Sequence, residues 1–132
     1  MAFLNWKNNY SVGVLELDQQ HRRLIEIINE LHSTMAAGND RARLQKVMEQ
    51  LTEYTIYHFR FEESLMQRHG YPNLAEHKRV HAAMEQRVAE FAQAISVTTG
   101  SYSIQLLDFL KQWLTRHILE TDMKYKPFVD AA

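Results

Sequence analysis

The sequence predicts an all-α protein, an up-down-up-down antiparallel four-helix bundle with an extended N-terminal arm. Three observations carry that expectation. Apolar residues recur at spacings of three and four along four long stretches. Only short breaks separate these stretches, which makes consecutive helices antiparallel neighbours. No segment alternates apolar and polar residues as a half-buried strand would. A single domain over residues 1–132 accommodates the whole pattern.

Residues 1–17 have no helical period and read as the arm, carrying Trp6, Tyr10, Val12 and Val14. Asp18 is the expected N-cap of the first helix, 18–37. Its seam is His21, Leu24, Ile28, Leu31 and Met35. Gly38-Asn39-Asp40 stops that helix and caps the second, 40–68, with Leu44, Met48, Leu51, Thr55, His58, Glu62 and Leu65 on one face. Gly70-Tyr71-Pro72 makes the next turn, and its proline suits the first turn of a third helix, 72–97. That helix has the cleanest stripe: Leu74, His77, His81, Met84, Val88, Phe91 and Ile95. After Thr98-Thr99-Gly100-Ser101 a fourth helix, 102–119, carries Leu107, Leu110, Leu114 and His117, and it must end before Pro127.

Composition narrows the function classes. A net charge of -1 with both signs interspersed leaves no basic field for nucleic acid or an anionic membrane. The absence of cysteine removes disulfides, zinc-thiolate sites and iron-sulfur clusters. The polar start, Met1 to Asn9, lacks an apolar signal core, and no later run is long enough to span a bilayer, so a cytoplasmic location is expected. What stands out is seven histidines.

Five of them replace apolar residues in the buried seams. His21 lies near the start of helix one, His58 with Glu62 near the end of helix two, His77 and His81 near the start of helix three, and His117 near the end of helix four. In an antiparallel bundle start, end, start and end are one end of the molecule. The pairs His58/Glu62 and His77/His81, each four residues apart, project from single helix faces. Six side chains thus converge on one layer. Asp122 follows His117 by five residues and turns away on a continuous α-helix, but reaches the layer if the helix loosens or ends near Leu119. With it, five imidazoles and two carboxylates are too many for one tetrahedral zinc and suit two octahedral irons bridged by carboxylates. An empty layer of this kind would cost several kcal/mol in unpaired polar groups. Glu63 is expected to face solvent, His32 to lie far from the layer, and His69 to be exposed in its turn. Met35, Met48 and Met84 are core filler, and Arg41, Arg43 and Lys46 a solvated face.

The residues resemble the hemerythrin family, specifically its single-domain bacterial members, the bacteriohemerythrins. The resemblance runs over nearly the whole chain: Trp6, Tyr10-Ser11-Val12-Gly13 and Asp18-Gln19-Gln20-His21 with Leu24 and Asn29; His58-Phe59-x-x-Glu62-Glu63; His77-x-x-x-His81; and His117-x-x-x-x-Asp122-x-x-Tyr125. Myohemerythrin is itself a standard up-down-up-down bundle. The resemblance implies a non-haem di-iron site that takes O2 as ligand reversibly. One iron would bind His77, His81 and His117 and the other His21 and His58, with Glu62, Asp122 and an oxo or hydroxo group bridging both. It also places Asp122 among the ligands. The two-histidine iron then has one open position, whose walls are expected to be Leu24, Ile28, Phe59, Trp113, Leu114 and Ile118. Gln20, beside His21, is the expected outer hydrogen-bonding partner.

The function so implied is O2 carriage, storage or delivery to an oxygen-consuming enzyme, by a monomeric binding protein rather than an enzyme. Two alternatives stand beside it. A di-iron peroxide or nitric oxide reductase needs a proton donor at the open position, and the expected walls offer no acid. A sensor of O2 or redox state commonly needs an output module, for which the bundle leaves no residues.

Overall fold

The computed structural model describes residues 4–37, 41–97 and 101–129. Four long helices make the expected antiparallel bundle: α1 (Leu15–Ala36), α2 (Arg41–Arg68), α3 (Leu74–Val97) and α4 (Ser101–Arg116). A π-helical turn (His117–Thr121) and a 3-10 turn (Asp122–Lys124) follow α4 and lead into a short helix, α5 (Lys126–Val129). Pro127 sits in the first turn of α5, where its missing N–H costs no helical hydrogen bond. The stop at Gly38-Asn39-Asp40, the break at Thr98-Thr99-Gly100 and the side chain of Ile95 lie outside the described residues.

The arm is shorter than expected and partly helical. It makes a 3-10 turn at Asn8–Tyr10, and α1 starts at Leu15 with Val14 as its N-cap residue. Asp18 is therefore not a cap. It lies one turn inside the helix, where its carboxylate accepts hydrogen bonds from Ser11 Oγ at 2.5 Å and Val12 N at 2.9 Å. Asn29 holds the arm further along, accepting from Leu4 N and donating to Leu4 O, each at 2.8 Å. At the α2–α3 turn Gly70 has φ +67°, the left-handed conformation that lets Tyr71 N close onto Met66 O at 3.0 Å.

Two apolar clusters fill the interior. The larger runs along the bundle through Leu24, Ile28, Leu31, Leu51, Phe59, Met84, Leu110 and Leu114. The smaller closes one end with Val12, Leu17, Met66, Tyr71 and Tyr125. Between Leu17 and Leu24 on α1 lies His21; between Phe59 and Met66 on α2 lies Glu62; between Tyr71 and Met84 lie His77 and His81. The polar layer is thus sealed above and below by hydrocarbon. Met48 and Met84 are buried in the core, with Met35 packed against it. Arg43 and Lys46 are exposed, and His69 is half-buried.

Candidate metal centre

All seven layer residues are buried: His21, His81, Glu62 and Asp122 are 0% exposed, and His58, His77 and His117 no more than 4%. Asp122 arrives by the loosening that its spacing required. In the π-helical turn the hydrogen-bond span lengthens from i+4 to i+5, and Asp122 N donates to His117 O and to Ile118 O. The turn carries Asp122 back over the face of His117, whose Nε2 lies 2.9 Å from Asp122 Oδ1.

Each carboxylate divides its two oxygens between two groups of histidines. Glu62 Oε1 lies 2.9 Å from His81 Nε2 and 3.2 Å from His77 Nε2, and Asp122 Oδ1 lies 3.1 Å from His77 Nε2. The opposite oxygens face the other pair. Glu62 Oε2 lies 3.5 Å from His58 Nε2 and 3.6 Å from His21 Nε2, and Asp122 Oδ2 lies 3.2 Å from His21 Nε2. Five side chains (Glu62, His77, His81, His117, Asp122) could thus hold one cation, and His21, His58 and Glu62 a second.

The outer nitrogens fix which way the rings present their lone pairs. His58 Nδ1 donates to Gln20 Oε1 at 2.7 Å, and His81 Nδ1 donates to Glu63 Oε2 at 2.8 Å. A neutral imidazole with its proton on Nδ1 turns a bare lone pair from Nε2 toward carboxylate oxygens that are also only acceptors. Among the described residues His21 Nε2, His81 Nε2, His117 Nε2 and both oxygens of Asp122 make no hydrogen bond, although they lie close together. Buried donors and acceptors are normally paired, and acceptor facing acceptor is repulsive. A cation between them removes the conflict, so the residues fit a metal pair.

Electrostatics within the metal-free cluster agree. Burial opposes a charge on His21 and His77, but the Asp122 and Glu62 carboxylates outweigh it and raise both pKa values to about 9. His58, where burial prevails, is lowered to about 3. Glu62 and Asp122 are held below the usual carboxylate range by the surrounding imidazoles, against the effect of burial. Protons on His21 and His77 thus balance part of the negative charge of Glu62 and Asp122.

Gln20 is buried and bonds His58 of the next helix, not its neighbour His21. Glu63 corrects its expectation. It is 8% exposed, not solvated, and pairs with His81 across the α2–α3 interface. Tyr125 joins the site as well: its hydroxyl donates to Glu62 Oε2 at 2.7 Å, and burial with the neighbouring carboxylates raises its pKa well above the ordinary value. The spacing Glu62-Glu63 after Phe59 and before Met66 marks Glu63 as part of a buried stripe, a signal the sequence does carry.

Beside the layer lies a partly enclosed cavity with room for about one water-sized molecule. Leu24, Ile28, Phe59, Trp113 and Leu114 line it together with Leu51, Thr55, Met84 and Leu110. Ile118 is buried in the core but does not line it. Phe59 stacks flat on His81 at 3.7 Å between centroids and Trp113 on His117 at 4.4 Å, so two of the cavity's walls rest directly on rings of the layer.

Comparison with known proteins agrees with this geometry. Residues 12–129 match the family model for the hemerythrin HHE cation binding domain. The chain is 40% identical to a bacteriohemerythrin of Stenotrophomonas maltophilia over 99% of its length and 84% of that protein's. It is 30% identical to a bacteriohemerythrin of Methylococcus capsulatus over 99% and 100% respectively. A crystal structure of wild-type hemerythrin superposes with a TM-score of 0.88 at 28% identity, covering 98% of this chain and 99% of the other.

Metal binding requires free Nε2 lone pairs, so loading the metal-free protein at pH 7.5, below the raised pKa values of His21 and His77, should expel about two protons per chain. Titration calorimetry in buffers of different ionisation enthalpy measures that number. Uptake with no proton release would contradict the charge balance described here.

Proposed function

Since the chain belongs to the hemerythrin family, we propose that it binds O2 reversibly at a pair of non-haem irons, as a carrier, store or supplier of O2 to an oxygen-consuming enzyme. His77, His81 and His117 would hold one iron and His21 and His58 the other, with Glu62 and Asp122 bridging through their divided oxygens. The observation that carries this reading is the set of buried, unpaired Nε2 atoms of His21, His81 and His117 facing the carboxylates of Glu62 and Asp122. The metal pair, when bound, supplies two electrons that can be lent to O2 and returned.

The protein's own part is to bind, orient and keep dry. Gln20 and Glu63 hold the Nδ1 protons of His58 and His81 outward, which aims their Nε2 lone pairs inward. Tyr125 fixes one oxygen of Glu62 by donating to it. Leu24, Ile28, Phe59 and Leu114, which line the apolar cavity beside the layer, exclude water, and reversibility depends on that exclusion. Of the cavity-lining residues only Thr55 carries a hydroxyl and none is a carboxylic acid, which favours O2 binding over proton-consuming reduction of peroxide or nitric oxide.

Iron-loaded, reduced protein exposed to air and then to vacuum should gain and lose a visible absorption band through repeated cycles. Steady turnover of peroxide without such a reversible band would instead identify a reductase. Leu114→Ala should admit water to the cavity and speed the loss of the O2-responsive spectrum in air several-fold, followed by stopped absorbance scans. An unchanged rate would remove Leu114 from the screen.

A further inference from the structure

The two candidate metal positions differ in what stands behind their histidines. His58 is backed by a neutral amide, Gln20, while His81 is backed by a carboxylate, Glu63. Glu63 is itself held in place. Arg60, one turn earlier on α2, donates from Nη1 to both of its oxygens at 3.3 and 3.4 Å, and from Nη2 to Glu85 of α3 at 3.0 and 3.3 Å. The chain His81–Glu63–Arg60–Glu85 therefore runs from the buried layer to the surface and ties α2 to α3. The side chains of Glu63 and Glu85 are 10% and 18% exposed, and that of Arg60 is 57% exposed.

This arrangement has more than a stapling role. An exposed arginine-carboxylate pair contributes little to stability, commonly below about 1 kcal/mol. A carboxylate accepting the Nδ1–H of a ligand imidazole does something different: it fixes the tautomer and ring angle and makes Nε2 a stronger donor to a cation. Arg60 keeps Glu63 from swinging to solvent, and two carboxylates on a single guanidinium leave residual negative charge toward His81. The same side of the layer also gathers the fuller donor set, five groups against three.

We propose that the Glu63–Arg60–Glu85 chain makes the His77/His81/His117 position the tighter of the two metal positions, the one filled first, with Glu63 as its positioning residue. This rests on the metal-binding reading above and adds an order to it: the buttressed position loads first, and the His21/His58 position, backed by an amide on one ring, loads second and stays the more readily vacated.

Anaerobic titration of the metal-free full-length protein with Co(II), read by visible absorption and calorimetry, tests the order. The wild type should take up two ions in two resolved steps. Glu63→Gln, which keeps the size of the side chain and an acceptor oxygen, should weaken the first step by roughly 10- to 100-fold and leave the second nearly unchanged. Arg60→Ala, at an exposed position, should weaken the same step less, and His21→Ala should abolish the second step alone. Thermal unfolding of the metal-free variants separates this from loss of fold, since a stapling role would move the melting temperature and both steps together. Equal affinities in the wild type, or a Glu63→Gln variant whose first step is unchanged, would overturn the proposal while leaving the metal centre standing. A wild type that binds no Co(II) would overturn the metal centre itself.

Discussion

Everything about this molecule follows from an apposition that cannot persist uncompensated: imidazole lone pairs turned onto carboxylate oxygens where water does not reach. His81 shows it most plainly, with its single proton committed outward to Glu63 and its Nε2 2.9 Å from Glu62 Oε1. At such range in a buried site, electrostatic terms are large compared with the marginal stability of a domain this size. Protons on His21 and His77 relieve part of the conflict, and cations between the two histidine groups would relieve it more completely. Cations held there would therefore add to the stability of the fold as well as be bound.

The bundle meets this demand by geometry. Antiparallel helices bring start and end positions to one level, so four chain segments far apart in sequence each contribute donors without any long loop. Hydrocarbon closes the level on both sides: Phe59, Met84 and Leu114 on one, Leu17, Met66 and Tyr125 on the other. The same hydrocarbon that stabilises the bundle by burial keeps the site dry, and packing and function are here one set of contacts.

Much of this is legible in the sequence because its causes are periodic. The three-and-four spacing places His21, His58, Glu62, His77, His81 and His117 in the seams, and the alternation of helix direction places them at one level. Asp122 was legible only conditionally, since its five-residue offset needs a π-helical turn, and nothing in His117–Thr121 announces one. Glu63 escaped for a different reason. Judged by its offset from His58 it faces away, but it lies four residues after Phe59 and three before Met66, and α3 covers that stripe. Asp18 looked like a cap because caps and loop anchors use the same residue types. Its true partners, Ser11 and Val12, meet it only because the arm folds back on α1. Local pattern fixes faces; long-range side-chain pairing needs the fold.

The most direct test is to locate the cations. Diffraction from crystals of iron-loaded protein, measured on either side of the iron absorption edge, should give two anomalous peaks per chain. One should lie among the Nε2 atoms of His77, His81 and His117, and the other beside those of His21 and His58, with Glu62 and Asp122 between them. Density for no iron, or for a single ion elsewhere in the bundle, would contradict the account.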